Sequence, residues 1–468
     1  MLERFYRLRM TLGKPAAERN MQENLLVSGA LTGFDHAVGI VFRIASTLIL
    51  TRLLSPDIFG LFALIVTFQI LAVMLTDFGV RGLIIVSDHA EDRAFLCTCW
   101  SVQFVRGFGL SVVIGLIALG VYLAQLSGML GGESVYGSAD LPLALALSGL
   151  QLALQGLESV NQFVYARAMR FGRITILNIT FAALGPILTI AIALVWPTIW
   201  ALVASGLLAG FVKMVLTHTI FSGIAMRFCW QREHVAELFD RGKWIMSHSI
   251  LHVCCTTADM IVLGAFTSAT WIGLYYLARQ FIQIPYQLMQ KIEGAFGLQF
   301  FRHVDDGRTD VLRDKYYRLR MPFDVVACIF AGGFMTASPA VIDLLYDDRY
   351  LEAGTIMQIL AIGLPLNGLA VIRNAYSAQK RFRVMTVISV IQTVSIWLGL
   401  IVALPVFGST LAALLVLALH RVPELTVLLF MARRERWIDL RREFRFFPTI
   451  AVGAAMGWGL DQMLRSVI

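Results

Sequence analysis

The sequence predicts an all-α polytopic membrane protein: two pseudo-symmetric six-helix lobes around a central cavity, plus about one extra helix at the C-terminal end. Three observations carry that prediction. Of 468 residues, 58% are hydrophobic and only 15% charged, with a mean hydropathy of +0.73, whereas soluble domains are roughly 25% charged. Apolar runs long enough to cross a bilayer, about 20 residues each, recur along the whole chain. The chain also repeats itself weakly at an offset of 213, which sets LLSPDIFGLFAL at 53–64 on FTSATWIGLYYL at 266–277, Gly60 on Gly273 and Asp35 on His248. Membrane transporters are commonly built from such repeated halves.

The elements follow in order. Residues 1–24 form a basic segment with Arg4, Arg7, Arg9, Lys14 and Arg19. No short apolar region with a cleavage site follows it, so an uncleaved chain with a cytoplasmic N-terminus is expected. The first lobe, 25–225, holds spans at about 28–51, 58–77, 95–124, 141–158, 174–195 and 198–222. The first two are joined by TRLLSPDIFG, and Gly29 with Gly33 offers a close-packing face. The last three are cut from a nearly continuous apolar region by the basic loop Arg167–Arg173 and by Trp196-Pro197. After a cytoplasmic linker at 226–243, the second lobe, 244–431, holds 244–265, 271–293, 323–343, 354–372, 385–405 and 409–431. Residues 432–468 form a basic cytoplasmic loop and a thirteenth apolar stretch, 446–464, weak enough to be an interfacial helix instead. Pro186, Pro285, Pro365, Pro405 and Pro423 fall within spans and predict kinks.

A net charge of +8 invites a nucleic-acid reading, but the positions of the charges oppose it. With the N-terminus inside, 30 of the 39 Lys and Arg residues fall in the N-terminal segment and six internal loops, at about 79–95, 159–173, 226–243, 297–321, 373–383 and 432–447. Only Arg52, Arg349 and Arg465 fall outside. This is the positive-inside bias of a membrane protein, so the basic character reports topology and no nucleic-acid partner is expected. The six cysteines are scattered without metal-ligand spacing, so neither zinc nor a disulfide framework is indicated. No GxxxxGK[ST], His-Glu-x-x-His or nucleophile elbow occurs, and no cofactor or metal is expected. No loop is large enough for a soluble domain.

Charge within the spans marks the candidate site, because hydrocarbon leaves polar groups unsatisfied. The first span carries Asp35, His36 and Arg43; the seventh carries His248, His252 and Asp259, whose spacings of 4 and 7 predict one shared helical face. Arg106, Lys213, Arg279, Lys291 and Arg421 are further intramembrane cations. Together, Arg43, Arg279, Arg106, Lys213 and Arg421 predict a cationic cavity suited to an anionic headgroup, since guanidinium binds phosphate oxygens bidentately. Arg421, beside His420 and one turn from Glu424, also admits a reading as a locally paired charge.

TRLLSPDIFGLFAL with DFGVRG at 77–82 resembles bacterial polysaccharide flippases of the Wzx type, within the multidrug/oligosaccharidyl-lipid/polysaccharide (MOP) exporter superfamily. The likeness continues in RAMRFGRI at 167–174, in IGLYYLARQFIQIPYQLMQKIEGAFGLQFFRHVDD at 272–306 and in IDLLYDDRYLEAGTIMQILAIG at 342–363. It departs where the family often has a proline-bearing segment and this chain has AFGLQFF. The resemblance implies alternating access and transport of undecaprenyl-pyrophosphate-linked oligosaccharides from the cytoplasmic to the periplasmic leaflet, for exopolysaccharide, capsule or O-antigen synthesis. It supports Arg43 and Arg279 as pyrophosphate ligands, implies drive by an H⁺ or Na⁺ gradient with Asp259, Asp35, His36 or His252 as ion-coupling residues, and names membrane lipids and other polysaccharide-assembly proteins as partners. It implies no enzymatic activity. Two other readings stand beside it. A cation-coupled multidrug exporter would favour acidic cavity residues, which are outnumbered here by cations. A polysaccharide polymerase or ligase would need basic or His residues in a large periplasmic loop, and 125–140 has none.

Overall fold

The computed structural model describes residues 16–87, 89, 92–129, 134–293, 309–379, 381–443 and 445–466. The basic residues before position 16, the AFGLQFF segment and the side chains of His248 and Lys291 lie outside that description. Helices dominate. In chain order they are α1 Ala16–Leu53, α2 Pro56–Leu75, α3 Val80–Val86, α4 Arg93–Leu126, α5 Leu141–Gly156, α6 Asn161–Arg167, α7 Phe171–Ala193, α8 Ile199–Ile220, α9 Arg232–Thr256 and α10 Ala258–Phe266. They continue as α11 Ala269–Ile292, α12 Thr309–Leu345, α13 Glu352–Ala361, α14 Leu366–Leu369, α15 Arg373–Ala378, α16 Phe382–Ala403, α17 Thr410–Leu419, α18 Val422–Arg434, α19 Leu440–Glu443 and α20 Thr449–Arg465. Among the described residues, ten helical segments are long and apolar enough to cross a membrane, or eleven counting the bent pair α5–α6 as one. The protein is a multi-pass, all-α membrane protein.

Local chemistry explains the ends. Pro56 opens α2 in the first turn, where its missing N–H is no loss, and Asp57 beside it favours the positive end of the helix. Ser268 caps α11 by accepting from the Trp271 N–H at 3.2 Å, and Ser409 caps α17 in the same way. Gly408 (φ 58°) supplies the left-handed residue between α16 and α17. The prolines divide into two groups. Pro186 and Pro285 are absorbed within unbroken helices, whereas Pro365 and Pro423 accompany true interruptions. Four interruptions matter: a 57° bend between α5 and α6, a bend at Thr257, the short pieces after α13, and the break at His420–Arg421.

The chain forms two compact units. One comprises residues up to Leu53, Leu75–Leu119 and Leu143–Ser247; the other comprises Leu54–Met74, Gly120–Pro142 and His248 onward. In the first, α1 packs along α7 and α7 along α8, and Gly107 and Gly156 let α4 and α5 touch backbone to backbone. A Cβ on Gly33 would meet open space, so it makes no close helix approach.

In the second unit, α20 lies along α12 through small residues. A Cβ on Gly332 would sit 2.1 Å from the Ile450 carbonyl oxygen, and one on Gly453 2.3 Å from that of Ile329. Thr336 Oγ1 also donates to the Ala454 carbonyl at 3.2 Å. This small-residue seam fixes the weak thirteenth stretch as a helix packed on protein. The preceding loop is tied down by Arg320, 1% exposed, which pairs with Asp324 at 2.7 Å and with Glu443.

The closest backbone approach joins α2 and α11. A Cβ on Gly60 would lie 1.9 Å from the Ala269 carbonyl oxygen, and one on Gly273 1.8 Å from that of Pro56. Both pairs, Gly60 with Gly273 and Pro56 with Ala269, are equivalents at the 213-residue offset. The contact is therefore reciprocal, as about a local two-fold axis. Leucine at Gly60, Gly273 or Gly453 is expected to cost about 1–3 kcal/mol through overpacking, read as a lower thermal midpoint in detergent, while Gly33→Ala leaves the midpoint unchanged. Equal midpoints for all four variants would show that the seams are not tight.

Candidate functional site

The second unit holds a half-open cavity of about 250 Å³, and the side chains around it explain its character. Asp259 stands in the first turn of α10, just past the bend at Thr257, and is 5% exposed. Its Oδ2 accepts the Tyr275 hydroxyl at 2.6 Å and pairs with Arg279 at 2.9 Å. Tyr275 and Arg279 are four residues apart on α11, so one helical face presents both to the carboxylate. Arg279 also donates to the Thr256 carbonyl at 2.8 Å, a group near the bend. Among the described residues, Asp259 Oδ1 has no hydrogen-bond partner.

Arg421 lines the same cavity from the break between α17 and α18, where it is the N-cap residue of α18. Its guanidinium donates to Asn367 Oδ1 and, at 3.0 Å, to the Tyr286 hydroxyl, and lies 5.3 Å from the centre of the Tyr286 ring. Among the described residues no carboxylate lies within ion-pair distance of it. The reading of Arg421 as paired with Glu424 gives way here, because Glu424, fully buried, is taken by Arg373, which also donates to Gln392 at 3.3 Å. Two of the three guanidiniums in this region thus make direct ion pairs, and Arg421 feels the Glu424 carboxylate only through space. Positive charge at a half-helix N-terminus inside an apolar unit suits an anion.

Three of the other expected residues have local partners within the first unit. Lys213 pairs with the buried Glu158 at 2.9 Å and lies 5.2 Å from the Phe181 ring centre. Arg106 donates to Thr76 Oγ1 at 2.9 Å, and Asp35 accepts from Asn178 at 2.7 Å. His36 is half-buried and Arg43 exposed on α1. In the second unit His252 is exposed on α9 while Asp259 is buried beyond the bend, so the two do not share one environment. The structure therefore gathers Asp259, Arg279 and Arg421 around one cavity.

Tyr275, Tyr286, Asn367, Gln392 and the Arg373–Glu424 pair were not singled out from sequence. Glu424 was the available signal, since a carboxylate within an apolar run demands a cation. Arg373, at the edge of an expected loop, was its partner. Among the described residues no group of three or more His, Cys, Asp or Glu side chains is placed to hold a metal.

Comparisons with known proteins match this architecture. The sequence profile of a family described as "Polysaccharide biosynthesis protein" matches residues 49–354. The chain is 23% identical over 319 residues to the succinoglycan biosynthesis transport protein ExoT of Rhizobium meliloti (strain 1021), covering 67% of this chain and 61% of that relative. It is 22% identical over 428 residues to the lipopolysaccharide biosynthesis protein WzxC of Escherichia coli (strain K12), covering 87% of this chain and 82% of that relative. The chain thus spans less than two thirds of ExoT's length, though more of WzxC's. It shares its fold with the lipid II flippase MurJ in an inward closed conformation, with a TM-score of 0.62, 16% identity, and coverage of 94% and 98% of the two chains. These likenesses agree with the Wzx-type resemblance in the sequence.

Removing one partner of a buried pair strands the other charge. Arg279→Met is therefore expected to destabilise the protein by about 3 kcal/mol, and the double variant Arg279→Met/Asp259→Asn to recover most of that loss. Thermal unfolding in detergent checks this, and additive losses would show that the pair is not coupled.

Proposed function

The chain belongs to the polysaccharide biosynthesis protein family, and we propose that it is a transporter that flips undecaprenyl-pyrophosphate-linked oligosaccharide repeat units from the cytoplasmic to the periplasmic leaflet. The observation that carries this reading is Arg421: a guanidinium at a helix break, facing a cavity, whose hydrogen bonds among the described residues go to neutral groups. Pyrophosphate is the anionic part of such a substrate, and a guanidinium fork matches its oxygens. The basic loops support an inner-membrane protein with its N-terminus in the cytoplasm.

In this reading the polar groups expected from the sequence act in two ways. Arg43, Arg106 and Arg421 supply positive charge along the route of the headgroup, and Arg279 and Lys213 join them when released from Asp259 and Glu158. Asp259, Asp35, His36 and His252 are the residues through which an H⁺ or Na⁺ gradient is coupled. Asp259 leads the second group, because its Oδ1 is buried and free of hydrogen bonds among the described residues. An exporter of cationic drugs is disfavoured: Asp259 and Glu424 are each already held by an arginine. Transport rather than bond chemistry, with other polysaccharide-assembly proteins as neighbours, completes the proposal.

Sidedness of lipid-linked glycan, read with a reagent confined to the periplasmic leaflet, tests it. Arg421→Ala is expected to lower accessible glycan at least tenfold, a loss of about 1.4 kcal/mol or more, with Arg421→Lys retaining part of the activity. Arg43→Ala is expected to abolish export at an unchanged membrane protein level, and normal polymer output would remove Arg43 from the route. If Asp259 carries a proton, Asp259→Asn flattens the pH profile of transport; an unaltered profile leaves it structural.

A further inference from the structure

Helix α11 is 24 residues long, about 36 Å at 1.5 Å per residue, ample for a hydrocarbon core of about 30 Å. It is nevertheless absent from the helices apolar enough to cross a membrane on composition alone. Besides Arg279 and Lys291, the reason is a row of uncharged polar side chains. Tyr276, Gln280, Gln283, Gln287 and Gln290 follow one another at spacings of 4, 3, 4 and 3, which places all five within an arc of about 80° on the helix surface. Four of them are half-buried and Gln290 is exposed. The helix holds its place through other faces, where Leu274, Leu277, Ala278 and Met289 are buried.

An amide facing hydrocarbon is costly, so a run of four must meet something polar. The row carries no charge, which makes it a poor match for a phosphate or a coupling ion. A primary amide offers two donors and one acceptor oxygen, the complement of neighbouring sugar hydroxyls, each of which both donates and accepts. Gln287 Nε2 donates to Gln283 Oε1 at 3.5 Å, so these two amides stand side by side, at the spacing that hydroxyls of one ring require. Tyr276 adds an aromatic surface at one end for the C–H face of a pyranose. From Tyr276 to Gln290 the row extends about 21 Å, room for several rings. Arg279 and Tyr286 flank it, and Tyr286 contacts Arg421, so the uncharged row runs beside the cationic cavity on the same helix.

We propose that this row is the glycan-reading surface of the transporter, recognising the neutral polyhydroxyl part of the substrate while the arginines hold the pyrophosphate. The inference rests on the transport reading above and adds to it the residues that discriminate among glycans. Its competitor is a row of amides that only glues helices together.

The test uses the full chain in cells and two substrates: the strain's own lipid-linked repeat unit, and its one-sugar form made in a strain lacking the second glycosyltransferase. Periplasmic accessibility of each is measured for wild type, Gln283→Ala/Gln287→Ala and the exposed Gln290→Ala, with membrane abundance checked by immunoblot. The expected result is an approximately tenfold fall in the ratio of full-repeat to one-sugar transport in the double variant, or about 1.4 kcal/mol of lost discrimination, and a smaller fall in the same direction for Gln290→Ala. An unchanged ratio in both variants, with or without lower overall activity, makes the row structural and overturns the proposal. If wild type moves neither substrate, the transport reading itself fails and the glycan reader falls with it, an outcome visible without any variant.

Discussion

Charge cannot stand alone inside an apolar helical unit, and the second unit of this protein is organised by that constraint. Asp259 is met by Arg279, Glu424 by Arg373, and Arg320 by Asp324 and Glu443. Two of these pairs join helices well separated in sequence, α15 to α18 and α12 to α19, and a third joins the consecutive α10 and α11. Such pairs add little net stability, because desolvation offsets the attraction, but breaking one is expensive. They act as registers that hold each helix at one height and rotation. Against that background Arg421 stands apart: among the described residues its hydrogen bonds go to an amide and a phenol, and it makes no direct ion pair.

The helix breaks serve the same end. A continuous helix satisfies its own backbone and offers a site only side chains. The interruption at 157–160 brings a polar group into the first unit, and those at Thr257, after α13 and at His420–Arg421 bring polar groups into the second. Glu158 is buried at the first, the Thr256 carbonyl receives Arg279 near the second, Asn367 follows the third, and Arg421 caps the fourth. Three of the four meet at one cavity. Transporters commonly place their sites at such discontinuous helices.

Much of this was legible in the sequence, and the rest was hidden for identifiable reasons. Apolar runs mark the helices because hydrocarbon thickness sets their length, and intramembrane charges flag Asp259, Arg279 and Arg421 because lipid cannot hold them. What periodicity does not show is where a helix stops being one helix. The face shared by His252 and Asp259 assumes a continuous α9–α10, and the bend at Thr257 separates an exposed imidazole from a buried carboxylate. Partner choice is equally opaque: Glu424 lies closer in sequence to Arg421 but binds Arg373, 51 residues away. The Gly332–Gly453 seam was invisible because a glycine's role depends on the helix it faces.

The contact of Gly60 with Gly273 carries a consequence for how the two halves of the chain can change. Duplicated segments ordinarily drift apart, since each copy answers to its own surroundings. Here equivalent positions are one another's surroundings: the space above Gly60 is filled by Ala269, the counterpart of Pro56, and the space above Gly273 by Pro56 itself. A side chain gained at either glycine must be accommodated by the segment around the other, so the two positions constrain each other's substitutions directly.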